Sequence, residues 1–276
     1  MPEIPEVEGF KYVIKVHCLK KKIIDIDSSD KKLIKHNYAD FKKNLIGHEF
    51  VSTERRGKYL LIKLNASDYT LVMHFAMTGF LVYSKDSQKV KFSKVNFYFK
   101  DKTILHWISV RKFEKIWLIK SFREIPGLNN LGPDPLKLTK KEFIDLLNNN
   151  KSKNVKDFLM DQSIISGIGN EYSDEILFQS SIDPHHKIKD LTGNQLLKIY
   201  NETHKVLKYS IALRLKDIKK YSERNFFLKS DRETFKSSYL QAHRHTDMIC
   251  PKNKNHKLKK VTIAGRSSYY CPKDQK

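Results

Sequence analysis

The sequence predicts an α+β chain in three parts: an antiparallel β-sandwich with a leading helix, a helical segment built around a Gly-x-Gly turn, and a terminal β-hairpin finger. Three observations predict it. Short alternating apolar and polar runs, split by turn signals, fill the first half. Apolar residues at helical spacing begin after Leu131-Gly132-Pro133-Asp134-Pro135, where a glycine and two prolines suit a linker. The tail places two Cys-Pro-Lys segments, at Cys250 and Cys271, around a β-like stretch. The domain boundaries read from these changes are 1–133, 134–235 and 236–276.

Each element follows from its residues. Val7, Phe10, Ile14 and Cys18 recur at helical spacing and form one apolar stripe. Ile24 and Ile26 alternate with Asp25 and Asp27, as in a half-buried strand. Further short runs follow at Glu49–Thr53, Tyr59–Leu64, Thr70–Phe75, Phe80–Tyr83, Val95–Phe99, Thr103–Ile108 and Lys115–Ile119. Gly57, Asn65–Asp68, Thr78-Gly79 and Asp101-Lys102 separate them. Many short strands behind one helix suggest the sandwich. Beyond the linker, Thr139 can cap a helix carrying Phe143, Leu146 and Leu147. A short helix then enters Gly167-Ile168-Gly169, and a second, which Asn170 can cap, leaves it. Thr192-x-x-Gln195 is a capping-box pattern that opens a long helix with Leu196, Tyr200, Leu207, Ile211 and Leu215 on one face.

The first eight residues, Met1-Pro2-Glu3-Ile4-Pro5-Glu6-Val7-Glu8, carry the chemistry of interest. Removal of Met1 makes the Pro2 ring nitrogen a free secondary amine, and an α-amino group titrates near ~8. Such an amine can attack a sugar aldehyde carbon and form an iminium. Glu3 is close enough to shuttle protons for it. Taken alone, the octet also reads as an acidic, proline-marked helix start.

Composition bounds the partner. The chain has 276 residues, enough for two ordinary domains. Its 53 basic residues exceed 31 acidic ones, for a net charge of +22, which favours a polyanion such as nucleic acid over an acidic membrane surface. The basic residues are mostly lysine and are spread widely, as a biased composition would also produce. Three cysteines, Cys18, Cys250 and Cys271, make no disulfide framework. No signal peptide and no apolar stretch of ~18 residues is present, so a cytoplasmic protein without a membrane span is expected.

Three stretches in the first half admit two readings each. Arg55-Arg56-Gly57-Lys58-Tyr59 is either a phosphate-sized cationic cluster or a solvated hairpin turn. In His74-Phe75-Ala76-Met77-Thr78-Gly79, Met77 is either a wedge between bases or a buried gap-filler. In Val110-Arg111-Lys112-Phe113, a guanidinium and a ring either occupy the space of an extruded base or form a basic strand edge. In the tail, Cys-x-x-Cys pairs are incomplete, since Asn253 and Asp274 stand where thiolates are expected. His256 can replace Asn253, giving Cys250, His256, Cys271 and Asp274 as a mixed metal site. Without metal, the hairpin depends on burial of Val261, Ile263, Tyr269 and Tyr270, with Arg266 at its tip.

Together, the octet and the Asp161–Phe178 run resemble the formamidopyrimidine-DNA glycosylase and endonuclease-eight family, and the likeness runs from Pro2 to Gln275. The resemblance implies a β-sandwich, a helix–two-turn–helix domain and a hairpin finger, zinc-bearing or zinc-less. By position, Pro2 resembles the nucleophile that attacks C1′, and Glu3 the acid/base for ring opening. Lys58 resembles a phosphate-contacting lysine that assists elimination. Met77, Arg111 and Phe113 resemble the trio that fills the gap left by an everted base. Lys156, Asn170 and Arg266 resemble a clamp on flanking phosphates, with Arg266 also tied to the second elimination.

The sequence departs from the family pattern at four places. A His-x-His appears as Phe92-Ser93-Lys94, where Lys94 keeps a positive charge for DNA. The aspartate and glycine flanking Arg-Lys-Phe are Ser109 and Glu114. A Gly- and Thr-rich loop over oxidised guanine is not evident in Asp217–Phe235, and the finger cysteines are partly replaced. The implied function is a bifunctional glycosylase and abasic-site lyase of base-excision repair. It would act as a monomer on damaged double-stranded DNA, associated with the nucleoid in a bacterium. It needs no cofactor for catalysis; a zinc would be structural. The octet's Ile4 places the chain nearer the formamidopyrimidine branch, with oxidised pyrimidines as the other substrate class. The rival readings are a non-catalytic DNA binder of the same architecture and an RNA- or ribosome-associated basic protein.

Overall fold

The computed structural model describes residues 1–85, 90–222, 240–243, 247–263 and 265–276. Two compact units form: Met1–Asn129 with Ile211–Phe235, and Asn130–Ser210 with Lys236–Lys276.

In the first unit, α1 (Ile4–His17) begins with Pro5 in its first turn, and Glu3 and Glu6 form a reciprocal capping box. Its apolar face, Val7, Phe10, Val13 and Ile14, is buried. β1 (Ile23–Ser28) follows, then the short α2 (Tyr38–Lys43), capped by the Asn37 side chain. The strands β2 (Phe50–Arg56), β3 (Tyr59–Leu64), β4 (Thr70–His74), β5 (Phe80–Ser84), β6 (Ser93–Phe99), β7 (Ile104–Ile108) and β8 (Lys115–Ile119) complete two four-stranded sheets. Their orders are β1-β6-β7-β5 and β2-β3-β4-β8, and every pairing is antiparallel. One core joins both sheets to α1, through Phe97, Leu105 and Trp107 on one side and Leu60, Leu71 and Leu118 on the other. The predicted sandwich is the observed one. The short α3 (Pro126–Asn129) closes it, with Gly127 against Tyr59: a Cβ there would meet the tyrosine hydroxyl at 2.8 Å.

In the second unit, α4 (Lys140–Asn148) is capped by Thr139, as its sequence predicts, and buries Phe143 and Leu147. α5 (Val155–Met160) leads through the Gly167 turn, at φ +95°, into α6 (Asn170–Ser180). The residue capping α6 is Gly169, not Asn170. With Gly169 taking the extended cap geometry, Asn170 enters the first turn, and its amide is free to bond elsewhere. Gly132 is required by a close approach, since a Cβ there would lie 2.5 Å from the Ile164 carbonyl. The tail has β9 (Ile249–Cys250) paired with β10 (Asn253–Lys257), and β11 (Lys259–Ile263) paired with β12 (Arg266–Tyr270). Cys250, Cys271 and Leu258 pack on Phe178 of α6.

α7 (Gly193–Ser222) contributes to both units. Thr192 and Gln195 form its capping box, with Gln195 N–H donating to the Thr192 hydroxyl at 3.3 Å. Leu196 and Leu207 of the predicted face are buried. In the last turns the buried positions are Arg214 and Ile218, in place of the predicted Ile211 and Leu215. The cause is Gly9 of α1: a Cβ there would meet Ile218 Cδ1 at 2.7 Å and Arg214 Cγ at 2.9 Å, so these side chains lie over the bare glycine. Residues 223–235 of the Asp217–Phe235 stretch lie outside the described residues.

Candidate active site and nucleic-acid interface

Pro2 precedes an anchored helix rather than a loose tail. Glu3, 1% exposed, donates its backbone N–H to Glu6 Oε2 at 3.0 Å, while its carboxylate receives the Glu6 backbone N–H. The other Glu6 oxygen accepts from Arg214 Nη2 at 2.6 Å. One turn on, Glu8 accepts from Arg55 Nε at 2.8 Å and from Lys11 at 2.9 Å. Burial pushes the Glu8 carboxyl up, but Lys11 and Arg55 outweigh it and hold the carboxyl below its usual range. Arg55 also donates to the Gly57 carbonyl at 3.1 Å. One guanidinium therefore ties the helix behind Pro2 to the β2–β3 turn that carries Lys58.

Lys58 is 7% exposed. In register across β3 and β4, Tyr59 faces His74, their rings 4.7 Å apart. Burial, with Lys58 and Lys115 nearby, lowers the His74 pKa to about 4, so its imidazole is neutral at pH 7. The cationic cluster of the Arg55–Lys58 stretch is thus only partly solvated. Arg55 is a buried brace, and Arg56 lies over the Phe122 ring, 4.6 Å from its centroid.

The structure brings Met77, Arg111 and Phe113 together. Met77 is 41% exposed and Phe113 53% exposed. Arg111 lies over the Phe113 ring at 5.3 Å and donates Nη1 to Met77 Sδ at 3.4 Å. Three neighbouring apolar or cationic groups that face solvent are poor core and suit stacked bases. Lys94 lies on β6, half-buried, with its carbonyl accepting from Ser28 and Ser29.

In the second unit, Lys156, Asn170 and Arg266 converge on β12. Lys156 is fully buried, donating to Asp174 Oδ1 at 2.7 Å and to the Ser267 carbonyl at 3.2 Å. Asn170 donates to that same carbonyl at 2.8 Å. Asp174 further accepts from Ser268 at 2.7 Å and meets His243 Nδ1 at 2.8 Å. Arg266 is exposed at the start of β12. Asn170, His243, Arg266, Ser267 and Tyr269 line one surface depression.

Sequence reasoning missed Arg214, His74, His243 and Asp174. A buried arginine in a helix reads as polar surface, so Arg214 left no signal. His74, the first residue of the singled-out Met77 stretch, was given no role there, although its place at a strand end next to a turn could have marked it.

In the finger, Cys250, Cys271 and Asp274 place their ligand atoms within 4.8 Å of one another. Both thiols donate to Asp274 Oδ2 at 3.0 Å, and His256 Nδ1 meets Asp274 Oδ1 at 2.9 Å. Asn253 is turned to the Asn255 N–H instead. Burial and the Asp274 hydrogen bond push the Cys250 thiol up to about 11. Burial opposes ionisation of Asp274, but the two thiols and His256 outweigh it and lower its pKa to about 2. Two thiols, a carboxylate and an adjacent imidazole are a donor set that zinc accepts.

Comparison with known proteins gives two family matches: the formamidopyrimidine-DNA glycosylase N-terminal domain over residues 1–116, and the formamidopyrimidine-DNA glycosylase H2TH domain over residues 131–222. The formamidopyrimidine-DNA glycosylase of Pelotomaculum thermopropionicum is 31% identical over 281 residues, covering 100% of this chain and 99% of the relative. That of Carboxydothermus hydrogenoformans is 33% identical over 282 residues, with full coverage of both. The crystal structure of Lactococcus lactis Fpg (MutM) with N7-benzyl-Fapy-dG DNA superposes with a TM-score of 0.84, at 26% identity over 100% of each chain. The complex of Lactococcus lactis Fpg with abasic-site DNA gives 0.84, at 25% identity over 99% of each chain. No described helix is long and apolar enough to cross a membrane.

Proposed function

Because the chain belongs to the formamidopyrimidine-DNA glycosylase family, we propose that it is a base-excision repair glycosylase and abasic-site lyase whose nucleophile is the Pro2 ring nitrogen. The substrate class is damaged double-stranded DNA carrying formamidopyrimidine or 8-oxoguanine, the kind of lesion held by its DNA-bound structural relatives. The sandwich over 1–133 is the catalytic domain, 134–235 binds DNA, and 236–276 is the finger.

The observation that carries this reading is the double tether of the N-terminal helix. Glu3 caps it beside Pro2, and Arg55 connects it to the turn of Lys58. A binder without chemistry has no use for an amine and a carboxylate fixed side by side. In the reaction, the Pro2 nitrogen bonds to C1′ and the damaged base leaves with a proton. The sugar ring opens with Glu3 as acid/base, leaving an iminium. A proton is then lost from the carbon beside the iminium, which expels the 3′ phosphate. A second elimination releases the 5′ side. Lys58 contacts the phosphate, with the neutral His74 imidazole nearby. Lys94 adds charge to the DNA face. Trapping the iminium with borohydride tests the reading.

Arg266, held by the hairpin, is the exposed phosphate contact of the second unit. Arg266→Ala should weaken binding to an abasic-site duplex and reduce the slope of log affinity against log salt by about 1. An unchanged slope in a salt titration would count against that role.

A structural zinc belongs to the same reading, held by Cys250, Cys271 and Asp274 with His256 as fourth ligand. It would fix the hairpin that carries Arg266 and take no part in bond breaking. Elemental analysis of protein purified without chelator should find one zinc per chain. Cys250 and Cys271 should become reactive towards a thiol reagent only after chelation. Metal-free protein with equally protected thiols would show instead that the Asp274 carboxylate alone closes the finger.

A further inference from the structure

Two separate loops present the exposed trio, and one buried carboxylate joins them. Met77 belongs to the loop after β4, and Arg111 and Phe113 to the loop between β7 and β8. Glu114, 1% exposed, ends the second loop. Its Oε1 accepts from the Thr78 hydroxyl at 2.8 Å and the Thr78 backbone N–H at 3.3 Å. Its Oε2 accepts from the Ser109 hydroxyl. The same hydroxyls then serve the second loop. Thr78 Oγ1 accepts from the Arg111 N–H at 3.2 Å, and Ser109 Oγ from the Lys112 N–H at 3.1 Å.

Both loop tips are held in an unfavourable backbone conformation. Ala76 has φ +45° and Lys112 φ +60°, each directly beside a side chain of the trio. The left-handed region brings Cβ of a non-glycine residue too close to the following carbonyl oxygen. It persists where surrounding contacts over-determine it, typically at functional loops. Space is reserved for the link as well: a Cβ on Gly79 would lie 2.6 Å from Glu114 Cγ.

We infer that Glu114 is a positioning residue for base extrusion: through Thr78 and Ser109 it sets Met77 at a fixed place against Arg111 and Phe113. The polar pair Ser109 and Glu114, where the family pattern has aspartate and glycine, is thus a coupled arrangement rather than two unrelated losses. Removing the carboxylate leaves the two loops, among the described residues, joined only through Arg111, by its N–H on Thr78 Oγ1 and its guanidinium on Met77 Sδ, while leaving Pro2 and Glu3 untouched.

The inference rests on the glycosylase reading, and two substrates separate them. A lesion-bearing duplex requires the trio. A single-stranded abasic oligonucleotide, trapped with borohydride, requires only the amine chemistry. Glu114→Ala should excise the duplex lesion roughly ten-fold more slowly, as for loss of a hydrogen bond to a charged group. Its single-strand trapping should equal that of the wild type. Glu114→Gln, which keeps the shape and one acceptor oxygen, should recover most of the duplex rate. Thr78→Val combined with Glu114→Ala should lose less than the sum of the two single losses, because both remove the Thr78–Glu114 bond. Equal loss on both substrates, a wild-type duplex rate in Glu114→Ala, or additive effects would each overturn the inference. Wild-type protein that traps neither substrate would remove the glycosylase reading and the inference with it.

Discussion

Borohydride reduction of the wild-type chain mixed with an abasic-site oligonucleotide should give a covalent adduct at Pro2, and Pro2→Gly with one added N-terminal residue should give none. The amine must be free for this. α-Amino groups in general titrate near ~8, so such an amine is partly unprotonated and nucleophilic at neutral pH. An extra residue turns that nitrogen into an amide, which cannot form an iminium. Removal of a covalent nucleophile costs on the order of a thousand-fold or more in rate. Folding should be unaffected, because Pro2 lies outside α1, whose cap and first turn are Glu3 to Glu6. Thermal unfolding of the variant should therefore match the wild type. An adduct of normal yield in the variant would place the nucleophile elsewhere. Intact mass measurement of the native protein gives an independent check, since retention of Met1 would block the chemistry.

Lys156→Met should unfold the second unit at a much lower temperature. Both side chains of the Lys156–Asp174 pair have 0% exposure, and the pair is 2.7 Å apart. Breaking a buried pair by deleting one partner leaves an uncompensated charge, which costs about 3–5 kcal/mol. For a domain of this size that corresponds to a fall of roughly 10 °C in Tm. The Ser267 carbonyl would lose one of two side-chain donors, leaving Asn170 alone on it. Arg266, the neighbouring residue, should then hold DNA less firmly. The opposite pattern separates this account from a direct DNA contact. If the Lys156 ammonium itself touched a phosphate, Lys156→Met would lower the salt slope and leave Tm unchanged.

Much of the fold was legible because its signals are local. β3 and β8 match the runs read from alternation, and the other strands differ by one to three residues at their ends. Thr139 and Thr192 cap the helices that follow them because a side-chain oxygen three residues before Glu142 or Gln195 can close the box. The trio Met77, Arg111 and Phe113 was legible as loop residues of unusual type, and the structure assembles them. What failed to show was burial of charge. Lys156 reads as an open cation in sequence, yet it is sealed against Asp174 from α6, 18 positions on. Arg214 reads as helix surface, yet Gly9 of α1 leaves room for its stem and Glu6 takes its guanidinium. Such pairings depend on residues 18 to 208 positions apart, which no local pattern records.

The carboxyl of Glu3 answers to two demands at once. It holds the first turn of α1, and in the proposed reaction it moves protons for the nitrogen of the preceding residue. Replacing a good capping group with alanine typically loses about 1 kcal/mol. Inheritance at this position is therefore constrained from two sides: a mutation tolerated by the chemistry would still loosen the helix, and one tolerated by the helix would still disturb proton movement. Neither pressure needs to be strong for the glutamate to persist.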